Sequence, residues 1–221
     1  MKHLLIVLST ITLLFFLGCT NIITGPCANL TGSAQDLCLS ETGQCADIKQ
    51  EAVQESCIAS IAKQNKNLTL CAGLKSGQAL GFCFEEVAIA LNDSTICSQI
   101  TNTYWHDNCY FQLNLNASSK NYCPKIFDIE QRETCFLTLA LARKNYDYCE
   151  PLGPEKRASC LTAIAKDLHD NFGCTKIDDN LKQAACTEKV AIVANNKELC
   201  NTIRVGAIKE HCLEKINNSS N

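Results

Sequence analysis

Residues 71–97 read CAGLKSGQALGFCFEEVAIALNDSTIC, in which the cysteines are separated first by 12 and then by 14 residues. The same alternation, with a single step of 11, runs from Cys45 to Cys212. The chain therefore repeats a unit of about 26 residues. A fixed period of this size is typical of solenoids, in which each repeat is one small supersecondary unit.

Aliphatic residues keep a constant distance from these cysteines. In each repeat, the first cysteine precedes the 12-residue step and the second cysteine follows it. An aliphatic residue stands three positions after every first cysteine and four positions after every second cysteine. The first set is Ile48, Leu74, Ile100, Ile126, Leu152, Ile177 and Ile203, and the second is Ile61, Val87, Leu113, Leu139, Ile164, Val190 and Ile216. Because these spacings place both side chains on one helical face, each repeat is predicted to be an αα-hairpin.

Residues that cap helix N-termini stand ten positions after the second cysteines. They are Asn67, Asp93, Ser119, Asn145, Asp170 and Asn196. Such side chains accept hydrogen bonds from the first free backbone N–H groups of a helix. The pattern predicts a short first helix, partly 3₁₀ because of Pro124 and Pro151, followed by a turn and a second helix of about 14 residues.

The cysteines can pair in two ways, within each hairpin or across the 14-residue step. Within a hairpin the two cysteines are nearly level, whereas the other scheme offsets them by roughly 7 Å along the helices. The second scheme also leaves Cys27 and Cys212 without partners. The predicted pairs are Cys27–Cys38, Cys45–Cys57, Cys71–Cys83, Cys97–Cys109, Cys123–Cys135, Cys149–Cys160, Cys174–Cys186 and Cys200–Cys212. The fold class is therefore an all-α solenoid of about seven 26-residue αα-hairpin repeats, each closed by a disulfide.

The N-terminus is typical of an export signal. A basic start precedes an apolar run, 4–17, that is shorter than the roughly 20 residues of a membrane-spanning helix. Cys19 follows this run, where a bacterial lipoprotein carries its lipidated cysteine, and simple cleavage or a retained signal are the alternatives. The predicted segments are a signal peptide at 1–18, a tether at 19–26, a truncated capping repeat at 27–44, the repeat array at 45–216 and a disordered tail at 217–221.

Composition and motifs point away from catalysis. The formal net charge is −3, so the chain lacks the basic surface typical of nucleic-acid binding. The sequence contains no HExxH, GxSxG, phosphate-binding glycine loop or CxxCH. Because sixteen cysteines have predicted structural partners, we expect neither an enzyme, a metal site nor a cofactor. The number of disulfides predicts an oxidising compartment.

Tyr104 and Trp105 break the pattern of polar residues on the turn side of the repeats. Trp105 is the single tryptophan of the chain. The pair is a candidate for an exposed binding patch, since aromatic residues are enriched at protein interfaces. The alternative is that Trp105 covers the end of its hairpin.

With this cysteine pattern, the chain resembles secreted, disulfide-bonded α-solenoids of the Sel1-like and tetratricopeptide kind. The resemblance covers residues 45–216 and implies a concave surface that binds peptides or other proteins. The expected function is a non-catalytic binding or scaffold lipoprotein, held to the outer face of a membrane through Cys19 or in a periplasm-type space, with a protein or extended ligand as partner. The alternative is a thiol-rich protein that sequesters copper or zinc through reduced cysteines.

Overall fold

The computed structural model describes residues 25–116 and 120–219. The signal peptide predicted at 1–18, the candidate lipid site Cys19 and the capping residue Ser119 lie outside the described residues. The chain divides into two compact units, Met1–Ala90 and Leu91–Asn221. Each unit is built from hairpins of one short and one long helix.

The first unit holds the N-terminal repeats. Its helices are α1 (Gly32–Glu41), a 3₁₀ helix (Cys45–Asp47), α2 (Glu51–Asn65), a 3₁₀ helix (Leu68–Gly73) and α3 (Gly77–Leu91). Helix α1 has 10 residues, whereas α2 and α3 have 15 each.

The second unit holds the remaining repeats. Its helices are α4 (Ser94–Cys97), α5 (Thr103–Asn116), a 3₁₀ helix (Cys123–Lys125), α6 (Ile129–Arg143), a 3₁₀ helix (Tyr146–Cys149), α7 (Pro154–Leu168), α8 (Phe172–Thr175), α9 (Asn180–Val193), α10 (Lys197–Thr202) and α11 (Gly206–Ser219). The long helices α5, α6, α7, α9 and α11 pack against one another in chain order.

The described residues contain eight disulfides, of which seven join the short and the long helix of one hairpin and one, in the N-terminal repeat, joins a turn to α1. They are Cys27–Cys38, Cys45–Cys57, Cys71–Cys83, Cys97–Cys109, Cys123–Cys135, Cys149–Cys160, Cys174–Cys186 and Cys200–Cys212. Their Cα atoms are 5.5–5.8 Å apart, within the range that disulfides ordinarily span. The predicted all-α fold of 26-residue hairpin repeats, each closed by a disulfide, is confirmed.

The core consists of the cysteines and the aliphatic residues that follow them at fixed spacing. All seven aliphatic residues of the first helices are buried, from Ile48 to Ile203. In the second helices, six of the seven are buried, and Ile61 is partly buried. Each helix thus contributes one cysteine, one aliphatic side chain and few others to the core, so the disulfides carry much of the cohesion of each repeat.

Side chains cap the short helices where the sequence predicts them. The N–H of Thr69 donates to Asn67 Oδ1 at 3.0 Å, and the N–H of Thr95 donates to Asp93 Oδ1 at 2.9 Å. The same bond recurs at Asn145, Asp170 and Asn196. The residue before each cap has a left-handed backbone, which ends the preceding long helix. These residues are Lys66, Asn92, Lys144, His169 and Asn195, with φ between 49° and 53°.

In four repeats, a carboxylate two positions before the second cysteine joins the hairpin to the next one in the same unit. Asp36 accepts the N–H groups of Lys49 and Gln50, both at 3.1 Å. Glu55 accepts the N–H of Ser76 in the same unit at 3.2 Å. In the second unit this position is held by Asp107 and Glu133, which accept N–H groups at 127–128 and 153. Each bond fixes the start of the next long helix against the previous one.

Pro154 is the first residue of α7, where its fixed φ and missing N–H are both tolerated. One local feature differs from the sequence-based expectation. Helix α11 extends to Ser219 and so includes residues 217–219, which were assigned to the disordered tail. Buried Ile216 anchors this last turn, and Lys197 Nζ donates to Asn217 Oδ1 at 3.2 Å.

Candidate binding site

The candidate residues Tyr104 and Trp105 lie in the first turn of α5. The backbone N–H of Trp105 donates to Asn102 Oδ1 at 3.2 Å, which caps the helix. The side chain of Tyr104 is 62% exposed, and Trp105 is half-buried. Their rings meet edge to face with centroids 5.0 Å apart. The structure thus places one aromatic ring in solvent and supports it with a second.

The two residues that follow Trp105 in α5, His106 and Asp107, are buried and polar. His106 is only 7% exposed, and its Nδ1 lies 2.8 Å from Asp107 Oδ1. Asp107 is 1% exposed and accepts the N–H of Phe127 at 3.0 Å and that of Asp128 at 2.8 Å. Because one buried carboxylate holds both N–H groups, the start of α6 is fixed against α5.

This bond and the ring of His106 hold Phe127 against α5. The Phe127 ring stacks on His106 with centroids 4.4 Å apart and planes 4° from parallel. Its other face is open, since Phe127 is 67% exposed, and Ile129 at the start of α6 is 65% exposed. We use the name aromatic patch for these apolar residues at the starts of the neighbouring helices α5 and α6, namely Tyr104, Trp105, Phe127 and Ile129.

Phe127 and Ile129 are the members of the aromatic patch that the sequence-based prediction missed. Phenylalanine is more often buried than exposed, so its presence at 127 does not by itself indicate a surface position. Aligning the repeats shows that Phe127 and Ile129 are unusual at their positions. The residues four positions after the first cysteines are Lys49, Lys75, Thr101, Phe127, Gly153, Asp178 and Arg204, and those six positions after are Glu51, Gly77, Thr103, Ile129, Glu155, Asn180 and Gly206. At both positions, the repeat that contains Phe127 and Ile129 has a large apolar residue where the other repeats have a polar or small one.

The rim of the aromatic patch is acidic and polar. Asp128 and Glu130 alternate with Phe127 and Ile129 along the chain. They also line a shallow cavity of about 320 Å³ between α5 and α6, together with Asn108, Phe111, Gln131 and Thr134. On the inner side, burial raises the pKa of Tyr110 above its ordinary value of 10.0, so this ring stays neutral. At the start of α6, exposed apolar side chains thus alternate with negatively charged ones.

The described residues hold no group of three or more His, Cys, Asp or Glu side chains arranged to bind a metal ion. All sixteen cysteines in the described part of the chain are bonded in pairs, so thiolate binding of copper or zinc requires prior reduction. Within 25–116 and 120–219, no helix combines the length and apolarity that crossing a membrane requires. The eight disulfides indicate an oxidising extracellular environment.

No protein-family model, curated protein or solved structure shows a significant match to the chain. The repeated helix pairs and their disulfides are compatible with a cysteine-rich helical repeat, the part of the Sel1-like and tetratricopeptide resemblance that the structure supports.

Proposed function

We propose that the protein is a non-catalytic binding or scaffold lipoprotein, tethered to the outer face of a cell membrane through Cys19. The partner is another protein, bound at the aromatic patch. The observation that carries this proposal is the exposure of Phe127 and Ile129 at repeat positions where polar or small residues otherwise stand, together with the exposure of Tyr104 at the start of the neighbouring helix α5. Large exposed apolar side chains grouped on one surface are typical of protein–protein interfaces.

The rigidity of the aromatic patch supports a binding role. Phe127 is held by its stacking on His106 and by the bond of its N–H to Asp107. A side chain that is already ordered loses little conformational entropy on binding, so more of the contact energy contributes to affinity. The disulfides on each side, Cys97–Cys109 and Cys123–Cys135, fix the two helices that carry the patch.

The acidic rim defines the chemistry of the partner. Asp128 and Glu130 flank the apolar side chains, so a complementary segment presents an apolar side chain between basic or amide groups. An acidic segment is disfavoured by repulsion from the same carboxylates. The proposed partner at this surface is therefore a protein with an apolar anchor and basic flanks.

The binding role is tested with protein purified from the native envelope. Wild type is compared with the double variant Tyr104→Ser/Phe127→Ser, and Leu181→Ser serves as a control because Leu181 is also 63% exposed on α9. We expect one co-purifying protein to be lost from the patch variant and retained by the control. Equal recovery in all three samples contradicts the proposal, as does a change of oligomeric state caused by the patch variant alone.

Intact-mass measurement tests the lipidation of Cys19 and the number of disulfides. Lipidation adds acyl chains to Cys19, and the variant Cys19→Ser loses both the added mass and membrane association. Eight disulfides make the protein sixteen hydrogens lighter than its reduced form. Free thiols with bound copper or zinc in the isolated protein contradict the scaffold function and favour the metal-sequestering alternative.

A further inference from the structure

A second surface of the second unit is a groove between α7 and α9. Its volume is about 460 Å³. Small side chains form its floor, among them Ala158, Ser159, Ala163 and Ala185, and they leave room between the two helices. Lys166, Lys182 and Lys189 line it together with one carboxylate, that of Glu155.

The register of the repeats places Lys166 opposite Lys189. In the first unit, Lys63 and Glu86 form an ion pair of 2.5 Å between α2 and α3. Lys63 stands six positions after its second cysteine, and Glu86 stands three positions after the next one. In α7 and α9 these two positions are held by Lys166 and Lys189. Two lysines thus occupy places where another pair of helices forms a salt bridge.

The groove carries excess positive charge. Lys182 is paired with Glu155, whereas neither Lys166 nor Lys189 forms an ion pair with any residue in the described ranges. Three lysines and one carboxylate give the groove a formal charge of +2, on a chain whose net charge is −3. Like charges at facing positions are destabilising. This arrangement therefore costs stability, and an anionic group placed between the two lysines removes that cost.

We infer that this groove binds an acidic segment of a partner protein, with a carboxylate between Lys166 and Lys189. Glu155 and Lys166 are eleven residues apart on α7, so the groove is about 16 Å long, the length of roughly five residues of extended chain. The ten residues that line it include no aromatic side chain on which a nucleic-acid base could stack. An acidic peptide is thus favoured over a nucleic acid. The groove is separate from the aromatic patch and prefers the opposite charge.

The test measures binding of a fluorescein-labelled deca-glutamate peptide to the exported protein by fluorescence anisotropy. We expect binding that weakens between about 20 and 300 mM NaCl, because salt screens exposed charges. The double variant Lys166→Gln/Lys189→Gln is expected to lose affinity by about tenfold. The matched control is Lys49→Gln/Lys75→Gln, which changes the net charge equally at two exposed lysines of the first unit. The proposal fails if both double variants bind alike, or if the wild type binds no peptide at 20 mM NaCl.

The variant Lys189→Glu separates binding from folding. It restores the charge pattern of Lys63 and Glu86, so we expect the midpoint of thermal unfolding to rise by roughly 1–3 °C. Peptide binding is expected to be lost although the fold is more stable. Retained binding overturns the inference. The patch variant Tyr104→Ser/Phe127→Ser is expected to bind the peptide normally, which distinguishes failure of this groove from failure of the aromatic patch.

Discussion

Gly173 lies directly beneath the ring of Tyr146. A Cβ atom at Gly173 would stand 2.3 Å from Cε1 of Tyr146 and 2.9 Å from the carbonyl oxygen of Leu161. Tyr146 belongs to the preceding repeat and is buried, and Phe172 packs against its ring at 5.6 Å. The two repeats therefore approach this closely only because residue 173 has no side chain.

Substitution of Gly173 by alanine is expected to destabilise the protein. The added methyl group must displace the Tyr146 ring and the backbone at Leu161, and overpacking of this kind costs about 2 kcal/mol in the free energy of unfolding. The control is Gly206→Ala, since no atom lies within 4 Å of a Cβ built there. Chemical denaturation of both variants measures the difference. A Gly173→Ala variant as stable as Gly206→Ala contradicts the close packing.

The buried carboxylate of Asp107 is expected to stabilise the second unit. Asp107→Ala leaves the N–H groups of Phe127 and Asp128 without their acceptor, at a cost of about 3 kcal/mol in unfolding free energy. Glu210 holds the same repeat position in the last hairpin, where it is exposed, and Glu210→Ala is expected to change stability little. Thermal unfolding of the two variants provides the comparison. Equal effects would show that the carboxylate does not join the hairpins.

The hairpins were predictable because their determinants are local. A cysteine, the aliphatic residue after it and the capping side chain all lie within one or two helical turns, so spacing alone places them on one face. The orientation of Phe127 is not local. It depends on the ring of His106 and the carboxylate of Asp107 in the preceding hairpin, and no spacing within one repeat encodes those contacts.

The groove between α7 and α9 also could not be predicted from the spacing within one repeat. The sequence places Lys166 and Lys189 at defined repeat positions, but their significance follows from the pairing of Lys63 with Glu86 across two helices. That pairing requires the lateral register of the long helices. Register between hairpins depends on side-chain packing and on bonds such as that from Glu55 to Ser76, which become visible only in the folded chain.

Full reduction is expected to abolish cooperative folding. Each disulfide closes a loop of about a dozen residues and contributes roughly 3 kcal/mol through the unfolded state. The core is thin, so the remaining burial does not offset the loss of eight such bonds. Helical circular dichroism is followed during heating with and without a non-thiol reductant. A reduced sample that keeps its helical signal and a cooperative transition refutes this account.

The disulfides are also expected to open in a defined order. Cys38 is partly exposed, whereas the other fifteen bonded cysteines are buried. Because a reductant must reach a sulfur atom, Cys27–Cys38 is expected to be reduced first. Cys200–Cys212, in the opposite terminal repeat, is the control, and both of its residues are 0% exposed. Alkylation at increasing reductant concentration, followed by peptide mapping, reports the order. Earlier labelling of Cys200 and Cys212 would exclude accessibility as the cause.

Stability is expected to fall in acid partly through the helix cap at Asp179. The N–H of Lys182, with that of Leu181, donates to the Asp179 carboxylate at 2.9 Å and holds its pKa below the ordinary value of 3.8. Because the pKa is lower in the folded state, this contribution is complete well above pH 3.8 and is lost as the pH falls through the depressed folded value.

Asp179→Asn keeps an oxygen that can cap α9 but removes the titration. Between pH 6 and pH 3, we therefore expect the midpoint of thermal unfolding to fall less in this variant than in wild type. The neighbouring Asp178→Asn is the control, since Asp178 accepts no cap bond and contacts Arg157 only at 3.7 Å. It is expected to retain the acid sensitivity of wild type. If Asp179→Asn loses stability in acid as steeply as the control does, the Asp179 carboxylate is not the group whose protonation weakens the cap.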